Sequence, residues 1–128
     1  MQDLIVNLEN KPGMLAALGE ALGNAGINIE GVCAVGGADG GQGEVHILVQ
    51  DAQMAREALK DAGIECGGER DVEIVAVMDQ PGELGRHLRR IADAGVNVDL
   101  AYMATSTRIA LASPDMDGLR KALHDHGS

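Results

Sequence analysis

The sequence predicts an α+β chain of two similar units, each a small antiparallel sheet covered on one face by two helices, with the second unit short of one strand. Three observations carry this. Asn10-Lys11-Pro12-Gly13-Met14-Leu15 returns 69 residues later as Asp79-Gln80-Pro81-Gly82-Glu83-Leu84. Gly26-Ile27-Asn28-Ile29 returns at the same offset as Gly95-Val96-Asn97-Val98, whereas Arg56-Glu57-Ala58-Leu59 returns after 64 residues as Arg120-Lys121-Ala122-Leu123, so one hairpin differs in length. Within each copy the apolar period alternates between that of a strand and that of a helix, the mark of a repeated structural unit.

The elements follow in order. Leu4, Val6 and Leu8 alternate with Ile5, Asn7 and Glu9, a strand that ends at the Pro12-Gly13 punctuation. Leu15, Leu18, Leu22 and Ala25 fall at helical spacing over residues 13–25, and Gly26 stands where a left-handed residue closes a helix. Residues 27–35 and 44–50 alternate again around a Gly-rich segment, 36–43, and make a hairpin. That segment lacks GxGxxG and a Lys-Ser/Thr pair, which excludes a nucleotide loop and leaves a loose tip or a lid over a ligand. Residues 51–62 carry Met54, Ala55, Ala58, Leu59 and Ala62 on one helical face, Gly63 closes the helix, and residues 64–70 supply a short fourth strand. The order β-α-β-β-α-β is ferredoxin-like. In the second copy residues 72–78, 82–94, 96–104, 107–113 and 116–126 match in turn, and Gly127-Ser128 stand where a fourth strand would begin. The expected architecture is two ferredoxin-like βαββαβ units side by side, 1–70 and 71–128, the second lacking its fourth strand. Its first strand then has an unpaired edge, which residues 64–71 are nearest to cover.

The composition narrows the function. A unit of about 60 residues buries only about 60% of its unfolded surface, so two such units need shared packing or a second chain. Hydrophobic residues make up 45% of the chain and aromatic residues 1%, with Tyr102 alone, so the core is aliphatic. The formal charge is -10, negative in both halves. Phosphate backbones demand clustered Lys and Arg, and single strands demand aromatic platforms, so nucleic acid is not an expected partner. There is no apolar run long enough for a membrane span and the first residues lack a signal-peptide pattern, so the expected location is the cytoplasm. Cys33 and Cys66, without a CxxC pair, read as reduced structural thiols, with a disulfide between them left open.

The sheet faces differ between copies. The first points Asp3, Ile5, Asn7 and Glu9 away from its helices; the second places Val72, Ile74, Ala76 and Met78 there, joined by Ala101, Met103, Ala110 and Ala112. So apolar a face marks an interaction surface, and a homodimer through the sheet of the second unit is expected, the alternative being an apolar surface tolerated because its Ala side chains are small. Tyr102, at the position of Cys33, is expected on the helix-facing side.

The repeated Pro-Gly turn has chemistry of its own. Pro12 presets the first helical turn, Gly13 lets a ligand approach the backbone, and the unpaired N–H groups with the helix dipole favour a carboxylate. Asn10 and Asn28 offer donors and acceptors that together would hold an α-amino acid by both charged ends. On spacing alone, Asn10 and Asp79 equally fit turn and N-cap residues without a ligand, and Asn28 and Asn97 fit strand starts. His124-Asp125-His126 lacks a third metal ligand, and Ser106 and Ser113 lack a partnering His, so neither a metal nor a cofactor nor catalysis is expected.

Residues 9–15 followed by Ala25-Gly26-Ile27-Asn28-Ile29 resemble the ACT domain, a small ligand-sensing module of amino-acid metabolic enzymes, and residues 79–84 with 94–98 resemble it again. The chain as a whole is similar to free-standing tandem ACT proteins. The resemblance implies a non-enzymatic regulatory protein that binds an amino acid where two ACT units meet side by side, through Asn10, Gly13, Met14, Leu15, Asn28 and Ile29 in the first copy and Asp79, Gly82, Glu83, Leu84, Asn97 and Val98 in the second. Asp79 in place of Asn makes the two sites unequal. With no catalytic domain attached, the signal passes to another protein. The alternatives are a ligand-free regulatory subunit or interaction module of a biosynthetic enzyme, and a small enzyme that depends on Asp79 or Tyr102. Asn28-Ile29-Glu30 is also similar to a run in the regulatory subunit of acetohydroxyacid synthase, a weaker match because the second half here is another ACT-like copy.

Overall fold

The computed structural model describes residues 1–37 and 41–125, so the middle of the Gly-rich tip, His126 and the expected start of a fourth strand in the second copy lie outside the described residues. The chain divides into two compact units, Met1–Asp71 and Val72–Ser128. Unit 1 runs β1 (Gln2–Glu9), α1 (Met14–Asn24), β2 (Gly31–Val35), β3 (Gln42–Val49), α2 (Ala52–Asp61) and β4 (Cys66–Asp71). Unit 2 runs β5 (Glu73–Ala76), α3 (Glu83–Asp93), β6 (Leu100–Ala104), β7 (Arg108–Ala112) and α4 (Met116–Asp125). Both are α+β and ferredoxin-like.

In unit 1 the strands lie in the order β4-β1-β3-β2, all antiparallel, with Leu4 opposite Ile47 and Val6 opposite Val45. Leu4, Val6, Leu8, Val45, Ile47 and Val49 meet Leu18 and Leu22 of α1 and Ala52, Ala55 and Leu59 of α2 in one core. Each fully buried Leu in it contributes about 1.5–3 kcal/mol. The expected helical faces are narrower than their spacing suggested, since Leu15 and Met54 are each 49% exposed. Unit 2, among the described residues, has the three-strand order β6-β7-β5, and its core joins Ile91, Val96, Ile109, Leu111, Leu119 and Ala122. The chain turns at residues 64–71 do not serve β5: β4 pairs with β1, Asp3 facing Arg70.

Helix ends explain why the strands after α1 and α3 begin later than alternation suggested. Gly26, Gly63 and Gly95 have φ of 74, 80 and 79°. After each, an apolar residue returns its N–H to the last turn: Ile27 to Leu22 O at 2.9 Å, Ile64 to Leu59 O at 2.8 Å and Val96 to Ile91 O at 3.3 Å. This is the Schellman ending. Ile27-Asn28-Ile29 and its copy are taken up in leaving the helix; the first cross-strand bonds are Glu30 N–H to Leu48 O at 2.8 Å and Asp99 N–H to Ala112 O at 3.1 Å, and the strands run from Gly31 and Leu100.

The register of unit 2 corrects the face assignments. Ala101 faces Leu111 and Met103 faces Ile109, so Ala101 and Met103 lie on the helix side of the sheet, where both remain exposed. Tyr102 faces Ala110, which faces Ile74, so these three share the opposite side. Cys33 likewise faces His46, which faces Ile5, on the side away from the core of unit 1. A one-residue error in strand phase moves every side chain to the wrong face. Val72, Ala110 and Ala112, expected as open apolar surface, are already buried in the single chain at 8%, 0% and 0% exposure.

Candidate functional site

Each Pro-Gly turn delivers the chain into a helix through a left-handed glycine. Gly13 has φ 90° and Gly82 φ 89°, each the N-cap of its helix, and neither helix has a side-chain cap. An L-residue there would be strained although a Cβ would meet nothing within 4 Å. The first helical bonds are Ala17 N–H to Gly13 O and Arg86 N–H to Gly82 O, both 3.0 Å, so the N–H groups before them face out from the helix pattern. The capping role that spacing allowed for Asn10 is therefore not the one it has. Its Nδ2 donates to Gly37 O at 2.8 Å and its backbone N–H to Gly41 O at 2.7 Å, which ties the turn to the hairpin. A true side-chain cap occurs elsewhere: Asp51 accepts from Met54 N–H at 3.0 Å at the start of α2.

Above each turn lies a cavity, and the two are built from the same positions of the repeat. In unit 1 a cavity of about 200 Å³ is lined by Leu8, Glu9, Asn10, Lys11, Met14, Leu15, Ala34, Gly43 and Val45, with Val35 and Gly36. In unit 2 a cavity of about 120 Å³ is lined by Val77, Met78, Asp79, Gln80, Glu83, Leu84, Met103, Thr107 and Ile109. At the offsets of 69 residues before the hairpin tip and 64 after it, these nine are the counterparts of the first nine. Of the large apolar side chains exposed among the described residues, Leu15 and Val35 rim the first cavity and Met78, Leu84 and Met103 the second. At the mouth of the first, Lys11 Nζ lies 3.3 Å from Glu9 Oε2.

The cavities differ most at one position. Met14 of unit 1 is replaced by Glu83, whose side chain is 9% exposed. Glu83 Oε2 accepts from Met78 N–H at 3.1 Å. Its Oε1 contacts the Arg86 guanidinium, and His87 Nε2 stands 3.5 Å from Oε2. Val77 N–H bonds Thr107 O across the hairpin at 2.9 Å, so by the alternation of an antiparallel strand Met78 N–H points away from β7 and is open to the carboxylate. Burial, with Arg90 and Arg86 nearby, pushes His87 below the ordinary imidazole range. Its Nδ1 is buried without a partner among the described residues.

The remaining expected site residues lie apart. Asn28 and Ile29 follow the far end of α1, about 16 Å along an 11-residue helix from the turn. Asn28 Nδ2 donates to Glu30 Oε2 at 2.8 Å, and Asn28 lines a separate cavity with Gly26, Gln50, Asp51 and Met54. Ile29 and Val98 pack against their cores, and Asn97 is exposed. Within unit 1 the structure brings together Asn10, Met14 and Leu15 beside Gly13, not Asn10 and Asn28. In unit 2 it brings together Asp79, Glu83 and Leu84 beside Gly82. Sequence reasoning missed Leu8, Val35 and Val45 as lining residues, and Arg86 and His87 as partners of Glu83; the repeat alignment held the signal for the last two.

Other chemistry is sparse. Ser113 Oγ accepts from Asp115 N–H at 3.0 Å in the turn before α4. Both cysteines are free, and burial pushes the Cys66 thiol up. Among the described residues no three His, Cys, Asp or Glu side chains are grouped to hold a metal ion, and no helix is long and apolar enough to cross a membrane.

Comparison with known proteins now decides the family. Residues 1–109 match the family model described as an ACT domain pair. The chain belongs to that family. A Bacteroides thetaiotaomicron protein of solved structure is similar at 27% identity and a TM-score of 0.85, over 98% of this chain and 88% of that one. The regulatory subunit of aspartate kinase from Thermus thermophilus, in a ligand-free form, has the same fold at 23% identity and a TM-score of 0.68, over 99% and 91%. That from Thermus flavus gives 24%, 0.62, 99% and 92%. Among curated proteins none matches the chain. The two turns and their cavities thus fall one in each unit of an ACT domain pair.

Proposed function

We propose that this ACT pair is a non-enzymatic regulatory protein that binds an amino acid, and that the cavity of unit 1 takes it. The observation that carries the reading is the construction of a cavity from matched positions in both units, at a turn that presents helix N–H groups. The ligand carboxylate lies against the first turn of α1, where the helix dipole favours an anion. Its ammonium lies at the mouth beside Glu9 and the Asn10 Oδ1. Its side chain meets Leu8, Val35 and Val45, which fits an aliphatic amino acid, and a cavity of about 200 Å³ is below the about 300–1,000 Å³ of sites for larger ligands. The likeness to proteins described as regulatory subunits of aspartate kinase supports a separate catalytic protein as receiver. The ligand shifts that partner only as far as it binds two states of the pair unequally.

Calorimetry against the twenty amino acids tests the reading. Binding of one or more aliphatic amino acids is expected, in the range of about 4–8 kcal/mol, micromolar to millimolar; folded protein that binds none of the twenty sinks it. The exposed rims at Leu15, Val35, Met78, Leu84 and Met103 favour a second reading, a ligand-free interaction module whose rims are covered by a catalytic partner, and co-purification of such a partner without any bound amino acid would select it. Self-association through the sheet face of unit 2 belongs to the proposal on a narrower footing, since Ile74 and Ala76 remain its accessible apolar residues.

A further inference from the structure

We infer that unit 2 closes its own copy of the site: the Glu83 carboxylate stands where the ligand carboxylate stands in unit 1, so each chain has one open site. The inference rests on the cavity of unit 1 being an amino-acid site.

Three substitutions within the repeat act together. Met14, Ala17 and Leu18 on one stripe of α1 become Glu83, Arg86 and His87 on the same stripe of α3, positions that meet on a helix surface. An apolar wall thus becomes a carboxylate with a guanidinium and an imidazole beside it. The carboxylate is not a surface charge that turned inward by accident. A buried carboxylate persists only with donors around it, and this one has Met78 N–H, which points away from the pairing with β7, as well as Arg86. The cavity has contracted from about 200 to about 120 Å³. A second carboxylate brought beside Glu83 would meet a like charge whose donors are already taken, with Asp79 at the same rim. Unit 1 has no acid in the first turn of its helix and no such occupant.

The reciprocal swap tests this. Wild type, Glu83→Met and Met14→Glu are titrated in turn with L-valine, L-leucine, L-isoleucine and L-methionine in a calorimeter, with circular dichroism to establish folding. One equivalent per chain is expected for wild type and two for Glu83→Met, with binding by Met14→Glu weakened at least tenfold. Two equivalents for wild type, or one for a folded Glu83→Met, overturn the inference while leaving unit 1 a binding site. If Glu83→Met does not fold, a folded Met14→Glu that binds as well as wild type overturns it by itself. No binding by wild type or by folded Glu83→Met removes the amino-acid reading and the inference with it.

Discussion

The two turns share one backbone and differ in what fills it. Gly13 and Gly82 agree within 1° in φ, and both helices end in a Schellman turn after the same number of residues. Yet the stripe that faces the sheet is Met14 and Leu18 in one copy and Glu83 and His87 in the other. Backbone geometry is fixed by the glycines and the Pro-Gly punctuation, which the duplication kept. Chemistry is fixed by two side chains one helical turn apart, which it did not. The lesson is that a repeat conserves a scaffold more strictly than it conserves a site.

The largest test of that contrast removes the apolar half of it. Leu18 is 1% exposed and sits in the core of unit 1 with Leu22 and Val6, so Leu18→Ala should lower stability by about 2–5 kcal/mol through lost transfer energy and a residual cavity. Urea denaturation followed by circular dichroism measures it. A loss under about 1 kcal/mol would mean that this position is as loosely packed in unit 1 as a polar residue makes it in unit 2.

The counterpart change runs the other way. His87 has Nδ1 buried without a partner among the described residues, and such a group costs about 1–3 kcal/mol of desolvation. His87→Leu restores the residue of unit 1 and should raise stability by up to that amount in the same urea experiment, while Arg86 and Met78 N–H keep Glu83 in place. Destabilisation instead would show that the imidazole is a required partner of the carboxylate, which strengthens the coupling between the two positions and weakens the view of His87 as a polar residue tolerated in a core.

Much of this was legible in the residues. The repeat, the Pro-Gly entrances and the glycines at the helix ends act through local sterics, so Gly13, Gly26, Gly63, Gly82 and Gly95 mark their own positions. The side of β6 was not legible, because Leu100-Ala101-Tyr102-Met103-Ala104 is apolar at every position and alternation has nothing to alternate; only pairing with β7 sets its phase. Asn10 was visible as a turn residue, but its partner, Gly37, lies 27 residues away across the hairpin. Glu83 was visible as a matched position, but its burial depends on Met78 N–H pointing away from the pairing with β7, a phase that only the strand register sets.

The last contrast concerns the other side of the sheets. In unit 1 the buried Asp3 accepts from or shares a proton with His46, Nδ1 to Oδ2 being 2.8 Å, and Glu44 Oε2 lies 2.9 Å from Nε2; at the matching positions unit 2 has Val72, Ala110 and Arg108. Burial works against charging His46, but hydrogen bonds and attraction to Asp3 and Glu44 outweigh it, and its pKa is raised above 6.5. Cys33 and Ile5 flank it across the strands, and Arg70 of β4 faces Asp3. A folded pKa above the unfolded one means that the imidazolium stabilises unit 1 fully below about pH 6.5 and that this contribution is lost as pH rises through the folded value. His46→Gln should therefore flatten the fall in urea midpoint between slightly acid and slightly alkaline pH, whereas Ala110→Ser, at the matching position of unit 2, should leave its slope unchanged. Equal slopes for wild type and His46→Gln would mean that the two carboxylates hold a neutral ring and that the sheet faces differ in polarity without differing in their response to protons.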